Sequence, residues 1–296
     1  MKELFGTLVR GSGTGHLLRW LLRYRLTIIV YHDPAPDVMD RHLAWLGRYY
    51  AFVTLDEVER VLAGKRWHDL PAYPLLVTLD DGHANNRALA EVFRRHGVRP
   101  TIFLCSHVVG TERPFWWKTP AAAALGPTSL KRVPDARRRA LLKEAGSDPD
   151  QPAPPRQALA WSEVMALGSV VSFGGHSRSH PILPLCDDTL CAQEIAGCRD
   201  DLEGALGMPC RHFAYPNGDW GERERALVKE AGFTLARSFR VGWNGPGTDP
   251  FALKAIPVTD HASVNWLAAQ MTGLPGLVRE IVSGERWRVR FDGGKP

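Results

Sequence analysis

The stretch LLVTLDDGHANN, residues 75–86, carries a run of strand-forming residues directly into two carboxylates and a glycine. Leu75, Leu76, Val77, Thr78 and Leu79 hold no charge and favour extended backbone, as a strand buried on both faces requires. Asp80 and Asp81 repel each other, and at the end of a buried strand at least one needs a cation or a proton. An isolated Asp-Asp-Gly would read as a turn with solvated acids. After five apolar or β-branched residues that reading fits poorly, and the pair is expected to be half of a site.

Working outward, the same rhythm recurs. LTIIVYH (26–32) is a β-rich run ending on His32, Asp33 and Pro34, and RPTIFLC (99–105) is a third strand. Helices are predicted between them: one around 37–50, one in TLDEVERVLAG closed by Gly64, and NNRALAEVFRRHG with Gly97 as its stop signal. Alternation of strands and helices with short joints marks a parallel sheet or barrel. It resumes after residue 160 with SEVMALG, VVSFGGH, a helix over about 188–206, RHFAYP, ERERALVKEAG and FTLARSF. Residues 111–158 interrupt it with RPFWW, an alanine run, RRRALLKEAG and DPDQPAPPRQ, and read as an inserted helical excursion over one face. The expected organisation is an N-terminal amphipathic helix within 1–25 and one α/β domain over 26–296, with the insertion at about 111–158.

With 296 residues, 44% of them hydrophobic, the chain can bury a core of that size. A net charge of +5 without zinc-finger spacing, an RNP-like string or a long basic block predicts no nucleic-acid partner. The five cysteines form no C-x-x-C and are odd in number, which fits reduced thiols in a cytoplasmic protein. HLLRWLLRYRLTIIVYH (16–32) is apolar but interrupted by Arg19, Arg23 and Arg25, so neither a spanning helix nor a secretory segment is expected. Leu17, Leu18, Leu21 and Leu22 recur at helical spacing. A basic amphipathic helix of this kind either packs on its own domain or makes peripheral contact with a membrane through residues 16–25.

In parallel α/β architectures the loops after the strands converge at one end, so ionisable groups at strand ends are candidates for chemistry. Three strands end this way: at His32-Asp33, at Asp80-Asp81-Gly82, and in FGGHSRSHP with His176 and His180. Two histidines separated by three residues can face one ion from a helical turn or a comparable loop. Gly174 and Gly175 would let the chain bend just before them, and Pro181 stops any extension. With one carboxylate from the second strand end they make a two-histidine, one-carboxylate set suited to a divalent metal. If Asp81 is the ligand, its repulsion with Asp80 is relieved, and Asp80 remains to accept the proton of an attacking water.

TLDDG (78–82), HSRSH (176–180) and FAYPNG (213–218), in this order, resemble the polysaccharide deacetylase family, the carbohydrate esterases with the NodB-homology domain. The family forms are TFDDG, H-S/T-x-x-H and R-x-P-Y-G, and similarity runs on through IIVYHDP, FRRHGVRPTIFL and FWWK. The resemblance implies a distorted (β/α)7-type barrel, a divalent metal, commonly zinc, and removal of acetyl groups from sugars. It implies Asp80 as general base, Asp81, His176 and His180 as metal ligands, and Ser177 as a brace for the histidine loop. Pro216 matches the third motif's proline. Asn217 stands where tyrosine is usual, and its backbone N–H is the implied oxyanion donor in substrate binding.

The chain departs from the family at three places. The arginine that usually holds the base aligns with Ala214, leaving Arg178, Arg237 and Lys254 as candidate cations for Asp80. The Asp-Trp motif lining the acetyl pocket has no counterpart, since GDW (218–220) lies too near the third motif; Trp116 and Trp117 are candidate walls. The Leu-x-His motif of the general acid is missing, and His32 is preferred to His261 for that role. The expected activity is a metal-dependent C–N hydrolase acting on an acetylated amino sugar. Deformylation of a sugar, opening of a cyclic amide, or glycan binding without catalysis are the alternatives.

Overall fold

The computed structural model describes residues 2–282; the end of the domain expected over 26–296, residues 283–296, lies outside the described residues. Strands β1 (Thr27–Tyr31), β3 (Pro74–Leu79), β4 (Thr101–Leu104), β5 (Ser172–Gly175), β6 (His212–Ala214), β7 (Leu235–Arg237) and β8 (Ile256–Pro257) form one curled parallel sheet in the order β7-β6-β5-β4-β3-β1-β8. A two-residue strand, β2 (Ala51–Phe52), pairs with the start of β3. Bonds from Leu253 N to Ala236 O and from Ser238 N to Leu253 O tie β7 to the segment before β8 and draw the two edges together. This is the distorted (β/α)7-type barrel expected.

Strand parity divides the core. Ile29, Tyr31, Leu75, Val77, Leu79, Ile102 and Leu104 pack outward against helices, whereas Leu26, Ile28, Val30, Leu76, Phe103 and Ala214 fill the interior. Helices α3 (Pro36–Leu46), α4 (Leu55–Ala63), α5 (Ala90–His96), α9 (Trp161–Leu167), α10 (Asp188–Leu206), α11 (Glu222–Glu230) and α12 (Val264–Gln270) accompany the strands. Their ends follow from local chemistry. Thr54 and Glu57 form a capping box at α4, and Gly97 closes α5 at φ 61°. The helix predicted to residue 50 stops at Leu46, because Gly47 caps it and the chain must extend into β2 by Ala51.

The insertion holds α6 (Pro120–Leu125), α7 (Pro127–Leu130) and α8 (Asp135–Glu144), which share a small core with Trp116. The N-terminal segment forms two helices, α1 (Lys2–Gly11) and α2 (Thr14–Leu21), where one was expected. Gly13, at φ 73°, breaks the register between them. A last helix, α13 (Leu274–Val282), follows α12.

Gly174 and Gly175 differ from expectation: they are strand residues, not a bend. A Cβ on Gly174 would meet the Phe103 ring at 2.6 Å and His212 O at 2.8 Å, so glycine is required for β5 to fit between its neighbours. All five cysteines are buried and unbridged, and burial pushes the Cys191 and Cys210 thiols up to about 12.

Candidate active site

Parity on β3 places Leu76, Thr78 and then Asp80 toward the barrel interior. On β7 the inward positions are Leu235 and Arg237, and Arg237 stands beside Ala214 in the β6–β7 register. The arginine absent from position 214 is thus supplied one strand over. Arg237 Nη2 donates to both Asp80 oxygens, at 2.5 and 2.6 Å, and its guanidinium lies over the Phe103 and Phe239 rings. Both side chains are buried. The other candidate cations go elsewhere: Arg178 forms a two-bond pair with Asp201, and the Lys254 stem packs beside Gly242.

Asp81 turns the opposite way, at φ 72°. Its Oδ1 lies 3.5 Å from His176 Nε2 and 3.6 Å from His180 Nε2. These three residues offer ligand atoms all within 4.8 Å of one another, and all three are buried. His176 Nδ1 donates to Ala214 O at 2.7 Å, which leaves Nε2 as the lone-pair nitrogen facing Asp81. The two histidines sit on a loop, with Ser177 at φ 60° and His180 at φ 57°. Ser177 Oγ accepts from His180 N at 3.0 Å, the bracing role expected of it. Of the six non-glycine residues with positive φ among the described residues, four (Asp81, Ser177, His180 and Asn217) belong to these loops, a concentration typical of functional sites.

The electrostatics suit a cation. Burial works to raise the Asp81 carboxyl, but the His83 hydrogen bond and the neighbouring His180, His83 and His32 outweigh it and hold the group well below the usual carboxylate range. Burial, with His176 and Lys131 nearby, outweighs Asp81 and holds His180 well below the usual imidazole range, so its ring is neutral, as a ligand must be. Asp81 Oδ1 is buried with no hydrogen-bond partner, an arrangement that wants a positive charge. One carboxylate and two imidazoles with a buried, unsatisfied oxygen fit a divalent metal with an open position.

Around this cluster stand groups that motif reading missed. His83 Nε2 donates to Asp81 Oδ2 at 3.1 Å, and Lys118 Nζ donates to His83 Nδ1 at 3.2 Å. Lys131, from the insertion, donates to Asn217 Oδ1 at 2.7 Å. Asp260 accepts from His32 N and Asp33 N and so pins the loop after β1. His83 adjoins the acid pair in sequence and was the most readable of these; the two lysines come from the insertion, where no periodicity points to the site.

His32 lies close enough to act on the Asp81 charge and stacks on Phe239 at 6.0 Å, whereas His261 is exposed on the turn before α12. Pro216 is buried, and Asn217 occupies a left-handed turn at φ 56° just beyond β6. Trp116 is a core residue whose indole donates to His180 O at 2.9 Å, while half-buried Trp117 lies 4.4 Å from the His180 ring. Trp220 stacks on Tyr215 at 5.6 Å.

A parallel α/β barrel with an acid pair and two histidines at the C-terminal ends of its strands is an architecture of hydrolases. The chain belongs to the polysaccharide deacetylase family, whose profile matches residues 69–236. No curated protein matches it by sequence. Its fold is similar to that of the deacetylase PplD of Streptococcus pyogenes, solved in complex with acetate (TM-score 0.61, 18% identity, covering 83% of this chain and 98% of that one). IcaB from Ammonifex degensii gives a TM-score of 0.62 at 20% identity over 84% and 97% of the two chains. A de-N-acetylase from Aggregatibacter actinomycetemcomitans gives 0.60 at 14% over 83% and 99%.

Proposed function

We propose that the protein is a metal-dependent deacetylase that hydrolyses the N-acetyl C–N bond of an amino sugar in a polysaccharide, oligosaccharide or lipid-linked glycan. The observation that carries this reading is the division of the acid pair. Asp80 is committed to Arg237, and Asp81 presents an unpartnered oxygen to His176 and His180. These three residues would hold a divalent cation, zinc being the best match to the donor set. When bound, such an ion lowers the pKa of water and polarises a carbonyl.

The chain's own groups supply the rest. Asp80, held by Arg237, takes the proton of the attacking water. His32 protonates the departing amine. The Asn217 backbone N–H offers a hydrogen bond to the developing oxyanion, beside Pro216. Acetate, found with PplD, is the product this reading assigns to the chain. Buried, unbridged cysteines support a cytoplasmic enzyme, and the basic, apolar residues 16–25 support peripheral contact with the inner membrane face, where a lipid-linked glycan is within reach.

Metal content and acetate release from N-acetylglucosamine oligomers and lipid-linked amino sugars test this directly. Wild type and Asp80→Asn should each retain about one metal per chain, only wild type should turn over, and Asp81→Ala should lose the metal. Formate in place of acetate would move the activity to deformylation. Absence of both metal and product would leave a glycan-binding protein.

A further inference from the structure

The N-terminal helices use the two halves of their leucine pattern differently. Leu18 and Leu22 turn inward, where α2 lines a crevice with Tyr50, Tyr73, Trp243 and Met271. Leu17, Trp20, Leu21 and, just past the helix, Tyr24 fall at i, i+3, i+4 and i+7, and all four are more than half exposed. On α1, Gly6 sits so close to α12 that a Cβ would meet Asn265 O at 2.4 Å, and Leu4, Phe5 and Leu8 are left exposed. On α13, Leu274, Leu277 and Val278 repeat the same spacing, also exposed. These helices all pack on or beside α12. Among the described residues they and the turn after α2 carry ten of the thirteen large apolar side chains that are exposed; Leu125, Met165 and Met208 are scattered singly elsewhere. Concentration on this scale marks an interaction surface, not ordinary surface apolarity.

Charge identifies the occupant. Residues 1–25 hold Lys2, Arg10, Arg19, Arg23 and Arg25 against Glu3 alone. The Arg23 guanidinium lies over both the Trp20 and Tyr24 rings, so cation and aromatic faces are presented together. A second copy docked by a two-fold axis would set arginines against arginines. An anionic bilayer satisfies both halves of the surface, taking the apolar stripes into its interfacial zone and the arginines to its phosphates.

We propose that α1, α2 and α13 form one platform that docks on an anionic phospholipid surface. This rests on the membrane-face placement of residues 16–25 and extends it from one segment to three helices with a stated lipid charge. The test sediments the full chain with vesicles of phosphatidylcholine alone or mixed with phosphatidylglycerol, with acetate release from a soluble oligomer measured in parallel. The protein should pellet with the anionic vesicles only, and less as salt rises. The double variant Leu17→Asp/Leu21→Asp should lower partitioning on the order of tenfold or more, and Arg23→Gln several-fold, with acetate release unchanged. Equal binding to neutral vesicles, no binding to either, or a dimer that the double variant dissociates would overturn the platform. Vesicle binding is read without turnover, so its failure is separable from failure of the deacetylase reading.

Discussion

Removing the Arg237 guanidinium would leave Asp80 buried in the barrel with its charge uncompensated. Breaking a buried ion pair from one side costs about 3–5 kcal/mol, whereas removing both charges costs far less. Arg237→Met should therefore lower the urea midpoint strongly, and Asp80→Asn/Arg237→Met should recover most of the loss; a double variant no more stable than Arg237→Met would contradict the pairing. His83 acts on the other acid. Partners of this kind around ligands change metal affinity by about 10–100-fold. His83→Phe should weaken binding in that range in a chelator competition titration, and Lys118→Met should weaken it less. Unchanged affinity in His83→Phe would reduce its bond to Asp81 to packing. Of these five residues, the sequence made Asp80 and Asp81 visible through their position after an apolar run. Arg237 could not be separated from Arg178 and Lys254, because the choice depends on the β6–β7 register that sets it beside Ala214.

The strands and their connecting helices were readable as elements because their patterning is local: buried runs, a capping box at Thr54, a left-handed stop at Gly97. What escaped is set by neighbours. The two glycines of β5 looked like a hinge, and only their neighbours reveal that they are there for space: the Phe103 ring and His212 O at Gly174, and Cys198, Phe213 and Phe233 at Gly175. Overpacking a tight position costs typically about 1–3 kcal/mol. Gly174→Ala should lower the melting temperature by several degrees, since β5 must separate from β4 or β6 to admit the methyl. It should also weaken metal binding, because β5 delivers His176 to its bond with Ala214 O. A variant with wild-type melting would show that the sheet yields at this point without cost. The N-terminal leucines teach the same lesson: their spacing predicted an amphipathic helix, but which half would face the domain was decided by the crevice against Tyr50 and Trp243.

At the scale of the molecule, the curled sheet buries histidines on both sides of its wall, and this sets a pH dependence. His42 lies on the buried face of α3, where Nε2 donates to Ala262 O at 2.8 Å and Nδ1 accepts from the Tyr31 hydroxyl at 3.0 Å, so both nitrogens are occupied in the neutral form. Burial lowers the pKa of His42, of His212 beside Glu59, and of His180. The unfolded chain protonates its histidines near 6.5, while these three resist protonation until lower pH. The unfolded state then binds more protons, so stability is fully present above about pH 6.5 and is lost as the pH falls toward the folded values, by up to about 1.4 kcal/mol per pH unit for each proton. Chemical denaturation with a chelator present, run from pH 7.5 to pH 5, should show this decline. His42→Asn, which removes one titrating ring and one of its two bonds, should start less stable but fall less steeply; an unchanged slope would mean that His42 accepts its proton without leaving the fold.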